Sequence, residues 1–327
     1  MTNCDIELGR SDLRKIGLLL VNGFALMSYA SIIEPFRAAN KLAGRELYRW
    51  THVSLAGSPA VASNGASIVA SAKVGDALAC DTLFVFAAGD PSSFCDAATF
   101  AWLRQLSSRG VTLAGVSGGP FLLARAGLLG GYRATIHWEH EPALREAFPF
   151  LDLDASLYVI DRQRLTCAGG TAGLDLAIEL IERDHGHALA AGVGDWFIRT
   201  SARRADRSQR LGLAERYRVN HEGVLQALAA MHTHAEDPLD RPTLAATAGV
   251  SIRQLERLFL RYVGETVGKT YLRIRLDHAD QLLRTTGLSV TAVAVSSGFA
   301  GSSQFSRAFR RQFGYPPSRA SLEARRS

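Results

Sequence analysis

Leu244–Thr266 reads LAATAGVSIRQLERLFLRYVGET, and Val293–Pro316 reads VAVSSGFAGSSQFSRAFRRQFGYP. Ala245, Gly249, Leu255, Arg257, Phe259, Arg261 and Gly264 align with Ala294, Gly298, Phe305, Arg307, Phe309, Arg311 and Gly314, with one extra residue near Ala300. The chain therefore carries an internal repeat. Each copy reads as a short helix, a corner opened by glycine, and a longer helix, the plan in which the second helix can enter a major groove. In the first copy Leu255, Leu258, Phe259 and Tyr262 form one apolar stripe for a core, and Arg253, Gln254, Glu256, Arg257 and Arg261 lie off it. In the second, Phe305, Ala308, Phe309 and Phe313 point inward, leaving Ser302, Ser303, Gln304, Ser306, Arg307, Arg310 and Arg311 for water or a polyanion.

Arginine and glutamine suit guanine and adenine edges, while serine and the flanking arginines suit phosphates. Two such helices about 34 Å apart would reach successive major grooves on one side of a duplex. Ser251 stands where a helix cap is expected. The plain alternative is a helical bundle with arginine-rich faces, and repetition in register argues against it.

Charge agrees with this reading. Of the 327 residues, those before 203 hold 17 Lys and Arg against 20 Asp and Glu, a net −3. Those from 203 on hold 20 against 11, a net +9, and all but one of these cations are arginine. An acidic front joined to a basic back suggests a sensor or enzyme tied to a polyanion-binding module. The expected division is 1–202 for the front, 203–218 for an exposed linker, and 219–327 for the back; RTSARRADRSQR (199–210), which spans the first boundary, has almost no apolar residue. No apolar run nears the roughly 18 residues of a membrane span, and the acidic start lacks the features of a signal peptide. Cys4, Cys80, Cys95 and Cys167 stand far apart, which argues against a disulfide framework or zinc knuckle and fits a reducing cytoplasm.

The front alternates short apolar strands with helices. Strands are expected at Ile16–Val21, Trp50–Ala56, Asp81–Phe86 and Val111–Val116, and helices at Ser31–Leu42, Ala97–Ser108 and Gly118–Ala126. A hairpin at Leu157–Ile160 and Leu165–Ala168, then helices Ala172–Arg183 and Leu189–Ile198, complete an α/β doubly wound, flavodoxin-like domain. His185-Gly186-His187 reads as a helix end, and no metal ligand set is assigned anywhere.

The segment Val111–Gly131, VTLAGVSGGPFLLARAGLLGG, runs a strand straight into a small-residue turn and a helix. That is an elbow geometry, with Ser117 at the bend and the N–H groups of Gly118 and Gly119 beside it. Ser117, His137 and Glu34 would have to meet for a nucleophile, a base and an orienting acid. As a binding site, the same elbow could take a carboxylate at the glycine N–H groups, with Glu34 for a cationic end and the Trp138 face for an ammonium. The plainer readings are that Glu34 braces the elbow, that His137 and Trp138 are core residues, and that the glycines serve only packing.

Residues 220–320, including Tyr271–Thr286 (YLRIRLDHADQLLRTT) and Gly314–Arg319 (GYPPSR), resemble the AraC/XylS-type DNA-binding domain. The front resembles the PfpI/class-I glutamine-amidotransferase-like fold, and the whole, from Gly17 to Arg319, resembles the GlxA-type subgroup that joins the two. The resemblance implies a bipartite promoter contact and activation through RNA polymerase. It also implies that enzymatic relatives carry cysteine at the elbow, where this chain has Ser117, so a retired active site is expected; an amidase-like hydrolase with a DNA-binding tail is the alternative. Relatives similar at Ala30–Trp50 (ASIIEPFRAANKLAGRELYRW) often govern catabolism of small nitrogen compounds. The resulting expectation is a cytoplasmic, homodimeric regulator, needing no cofactor and answering to an amino acid or a betaine-like or carnitine-like amine.

Overall fold

The computed structural model describes residues 13–199, 201 and 203–324, with side chains to residue 320; Cys4, Thr200 and Ala202 lie outside them. The chain divides into two units, one ending at Gln209 and the other beginning at Arg210.

The first unit is built on a seven-stranded sheet. Its strand order is Tyr158–Asp161, Arg164–Cys167, Thr112–Ser117, Thr82–Ala87, Arg14–Leu20, Tyr48–Ser54, Ala72–Lys73. All neighbours pair in parallel except the Tyr158–Asp161/Arg164–Cys167 hairpin at one edge. Successive residues of a strand face opposite sides, so one run feeds two cores. Leu18, Leu20, Phe84, Phe86 and Val116 pack on helices Leu26–Ala43, Ala172–His185 and His187–Trp196. Leu19, Leu83, Val85 and Leu113 pack on Ala97–Ser108, Gly119–Arg125 and Glu141–Ala147. Burial on both faces is why these strands read as continuous apolar runs rather than alternating ones. The fold class is the doubly wound one expected. Helix Glu141–Ala147, edge strand Ala72–Lys73 and two small two-stranded ribbons were not expected, being too short for a periodicity to register.

The expected exposed linker needs correction. Arg203, Ala205 and Gln209 are anchored to the first unit, while Arg204, Asp206, Arg207 and Ser208 between them are exposed. Arg199 and Arg203 converge on Asp175, whose side chain is 1% exposed, at 2.7 and 2.5 Å. The Leu157 N–H donates to the Ala205 carbonyl at 2.9 Å. Gln209 is held by four hydrogen bonds, described below. Farther along, residues 213–217 form a short helix, Leu213–Tyr217.

The second unit is helical throughout its described residues, around two cores. One gathers Val224, Leu228, Met231, Leu244, Leu255 and Phe259; the other gathers Val293, Phe299, Phe305 and Phe309. The helix Val267–Thr285 joins them, giving Tyr271 and Ile274 to the first and Leu276, Ala279 and Leu283 to the second. The repeat is reproduced in three dimensions. Residues 251–270 and 301–320 show the same sequence of buried, intermediate and exposed positions, fifty residues apart, except at Tyr262 and Gln312. Gly249 and Gly298 turn the two corners with φ +67° and +71°, a region costly for residues with a Cβ. At Gly298 a Cβ would also lie 2.5 Å from the Pro238 ring. Among the described residues no helix is long and apolar enough to cross a membrane.

Candidate functional site

The second helix of each copy, Ile252–Tyr262 and Ser302–Phe313, buries only two side chains: Leu255 and Phe259, and Phe305 and Phe309. Arg253, Gln254, Arg257 and Arg261 of the first are exposed, as are Ser302, Ser303, Gln304, Arg307, Arg310 and Arg311 of the second. Ser306 is half-buried. Among the described residues none of these six arginines has an ion-pair partner. Arg261 lies over the Tyr262 ring at 5.4 Å. The one acid on the first helix, Glu256, is engaged elsewhere, accepting from the Val267 N–H at 3.2 Å and facing Arg241 at 3.8 Å. The second helix has no acid at all. Two exposed cationic faces without local counter-charge are what phosphate neutralisation asks of a protein.

The two helix starts differ. Ser251 caps the first, accepting from the Gln254 N–H at 3.3 Å, while the Gln254 side chain accepts from the Ser251 N–H at 2.9 Å. This reciprocal box gives Gln254 a structural task that the base-reading expectation had not included, although the S-x-x-Q spacing signals it. The second helix starts at Gly301 with no side-chain cap, and its Gln304 enters no such box.

In the first unit, Thr112–Ser117 runs into Gly119–Arg125 through an elbow. Ser117 has φ +59°, uncommon for a residue with a Cβ, and is 6% exposed. Its surroundings are not those the sequence suggested. From helix Leu26–Ala43 it is Ser28, 2% exposed, that reaches the elbow, accepting from the Gly170 N–H at 2.8 Å. Gly169 is wedged between them, since a Cβ there would meet Ser28 Oγ at 2.6 Å and Ser117 Cβ at 2.8 Å. Glu34 is paired with Arg37 at 2.6 Å instead. It rims a shallow hollow of about 220 Å³ walled by Met27, Ala30, Pro35, Leu174 and Phe197.

The anion-binding expectation fails at Gly118 alone. The Gly118 N–H already donates to the Ala87 carbonyl at 2.8 Å. A Cβ on Gly119 would fall 2.0 Å from the Val85 carbonyl oxygen. These glycines let the helix lie tightly on the neighbouring strand, which is the packing reading.

His137 meets the elbow through its backbone, its N–H donating to the Ser117 carbonyl at 3.3 Å. Its Nδ1 is turned toward its own bend, accepting from the Glu139 N–H at 3.4 Å. Burial pushes the His137 imidazole below its usual pKa. Trp138 is half-buried, its ring 5.3 Å from that of His137. Ser117, His137 and Glu34 thus form no hydrogen-bonded triad among the described residues. Neither the buried Cys167 nor the half-buried Cys80 is activated: burial raises their thiols to about 12 and about 11.

Beside the elbow lies a contact that sequence reasoning missed. Gln209, the last residue of the first unit, accepts from the Trp138 N–H at 2.8 Å and donates to Thr135 Oγ1 at 3.0 Å and to the Ile136 and Ser156 carbonyls at 2.9 Å each. A glutamine in a polar stretch carries no sequence signal of such docking. A larger hollow, about 550 Å³, is lined by Arg14, Thr82, Thr112 and Asp184. It lies at the amino ends of the strands, whereas ligands of doubly wound sheets enter at the carboxyl ends, where Ser117 stands.

Family models match both units: a helix-turn-helix domain over residues 244–321 and the DJ-1/PfpI family over residues 14–183. The chain is 42% identical to the HTH-type transcriptional regulator GlxA of Rhizobium meliloti, over 94% of this chain and 95% of the relative. It is 42% identical to the HTH-type transcriptional regulator CdhR of Pseudomonas aeruginosa, over 92% of this chain and 89% of the relative. Among solved structures, an AraC family transcriptional regulator from Pseudomonas putida matches with TM-score 0.51 and 25% identity, over 56% of this chain and 99% of that one.

Proposed function

The chain belongs to the family of HTH-type transcriptional regulators that join a DJ-1/PfpI domain to an AraC-type helix-turn-helix domain, and from that premise we propose that it activates a catabolic operon in response to a small nitrogenous metabolite. Ile252–Tyr262 and Ser302–Phe313 enter successive major grooves. Arg257 and Arg307 read base edges with Gln304, and Arg253, Arg261, Arg310 and Arg311 with Ser302 and Ser303 hold phosphates. The observation that carries this reading is the repeated exposure pattern, which puts six arginines without ion-pair partners among the described residues on two equivalent faces.

The first unit acts as a sensor and not as a hydrolase. In support, the Ser117 hydroxyl has no base within reach of a hydrogen bond among the described residues, and burial raises the Cys167 and Cys80 thiols instead of activating them. The effector is an amino acid or a methylated amine held at the carboxyl ends of the strands near Ser117, His137 and Trp138. The apolar hollow rimmed by Glu34 suits the methyl groups of such an amine. The ligand signal leaves the unit through Gln209, which grips the segment carrying His137 and Trp138 one residue before the second unit begins. A coupling of about 1–3 kcal/mol would suffice. The regulator works in the cytoplasm as a homodimer that pairs half-sites and contacts RNA polymerase.

The test is a mobility-shift titration of the chain's own upstream region, with and without betaine, carnitine and amino-acid probes. Retarded complexes whose affinity changes with one probe are expected. Binding that R257A and R307A both leave unchanged would remove the groove assignment; indifference to every nitrogenous probe alongside a response to a neutral sugar would remove the effector class.

A further inference from the structure

One cluster of metal-ligating side chains goes beyond that reading, sharing only His137 with it. Residues 137–140 are His-Trp-Glu-His, and the His140 N–H donates to the His137 carbonyl at 2.9 Å, closing a single bend. The bend sets the two imidazole rings 5.7 Å apart, centre to centre, with Glu139 between them in sequence. One donor atom from each of the three side chains lies within 4.8 Å of the other two. Zinc holds nitrogen and oxygen ligands at about 2.0–2.2 Å, so small side-chain rotations would bring these donors onto one ion.

The set is partly sheltered from water, His140 being 3% exposed and the His137 side chain 28%.

We propose that His137, Glu139 and His140 bind one divalent cation of the zinc, nickel and copper class through two imidazole nitrogens and one carboxylate oxygen. This donor set selects against magnesium and calcium, which take oxygen ligands. Three protein ligands leave a fourth tetrahedral position for water or for a carboxylate brought by a small molecule. The rival site on the same unit is the exposed His187, 3.0 Å from Glu182, which has no third ligand.

The experiment uses the full chain, free of any affinity tag and stripped of metal, titrated calorimetrically with zinc chloride; cobalt(II) absorption reports the ligand geometry. One zinc per chain is expected. E139Q should weaken it by at least about tenfold, since even outer partners of metal ligands are worth that much. H140N should weaken it further and abolish the cobalt bands, and H187A should change neither. Absence of one-to-one binding overturns the site, as does binding that survives E139Q and H140N or disappears in H187A. Should H140N fail to fold, H137N and E139Q decide, because those side chains are 28% and 43% exposed. The readout involves neither DNA nor effector, so its failure leaves the regulatory reading untouched.

Discussion

Arginine does different work in the two units. In the first it is locked to carboxylates: Arg14 to Asp184, Arg37 to Glu34, Arg49 to Glu46, Arg145 to Glu141, Arg183 to Glu179, and Arg199 with Arg203 to Asp175. On the outer helices of the second unit Arg253, Arg257, Arg307, Arg310 and Arg311 are exposed and have no carboxylate among the described residues. A composition counts both sets simply as cations. The difference is that one set is already neutralised and the other has kept its charge for a partner, so truncating the first should cost stability and truncating the second should cost binding.

The largest effect belongs to the buried pair. Asp175→Ala leaves Arg199 and Arg203 facing a vacated pocket, and breaking such a pair costs about 3 kcal/mol, the low end because both guanidinium groups can still reach water. All four tryptophans (Trp50, Trp102, Trp138 and Trp196) lie in the first unit, so urea unfolding followed by tryptophan fluorescence reads this unit alone. An unchanged midpoint would show that the anchor is only surface charge. R257A and R307A should leave that transition in place and weaken promoter binding by about 1–3 kcal/mol each. R310A and R311A should act evenly across sequences and lower the salt slope by about 0.9 for each phosphate no longer neutralised. If either pair of variants unfolds the second unit, its arginines belong with the structural set.

A smaller effect comes from histidine. His140 in the first unit and His232 in the second are depressed by burial, to about 3 and about 4. A histidine held neutral in the fold but free to charge when unfolded stabilises above its unfolded pKa, near 6.5, and loses that contribution as pH falls toward the folded value. Each unit should therefore weaken by up to about 1.4 kcal/mol per pH unit per histidine below pH 6.5. H232N should flatten the slope of the second unit, followed by circular dichroism, and leave the tryptophan transition of the first as it was.

What the sequence made legible was whatever repeats along it. Two-sided apolar runs marked the parallel strands, and the copies at Leu244–Thr266 and Val293–Pro316 marked the helix-turn-helix pair, because burial imposes a period on the residues themselves. What it hid were contacts set by how elements pack. Glu34 and Ser28 sit on one helix, and only the docking of that helix decides that Ser28 meets Gly169 and Ser117. Gln209 looked like one more polar linker residue, yet backbone carbonyls wait for its amide. Gly118 looked like a free donor until the neighbouring strand supplied the Ala87 carbonyl. The spacing of His137 and His140 carries no signal by itself, because three residues apart means proximity only where the backbone turns.

The smallest expected effect tests the likeness of the two copies themselves. Ser251 and Gln254 complete a capping box, whereas the second helix begins at Gly301, extended and uncapped, with Gln304 in the position equivalent to Gln254. Replacing Gly301 by Ser introduces the missing hydroxyl with the S-x-x-Q spacing already in place. Glycine is a tolerable cap, so the gain is only a few tenths of a kcal/mol, visible as a slightly higher midpoint for the second unit. The same change should draw the Gln304 amide back onto residue 301 and away from the groove. Base preference at the second half-site should then relax, while phosphate-driven affinity and its salt slope stay as they were. A stabilised G301S protein with unaltered base preference would show that Gln304, like Gln254, serves its helix and not the DNA.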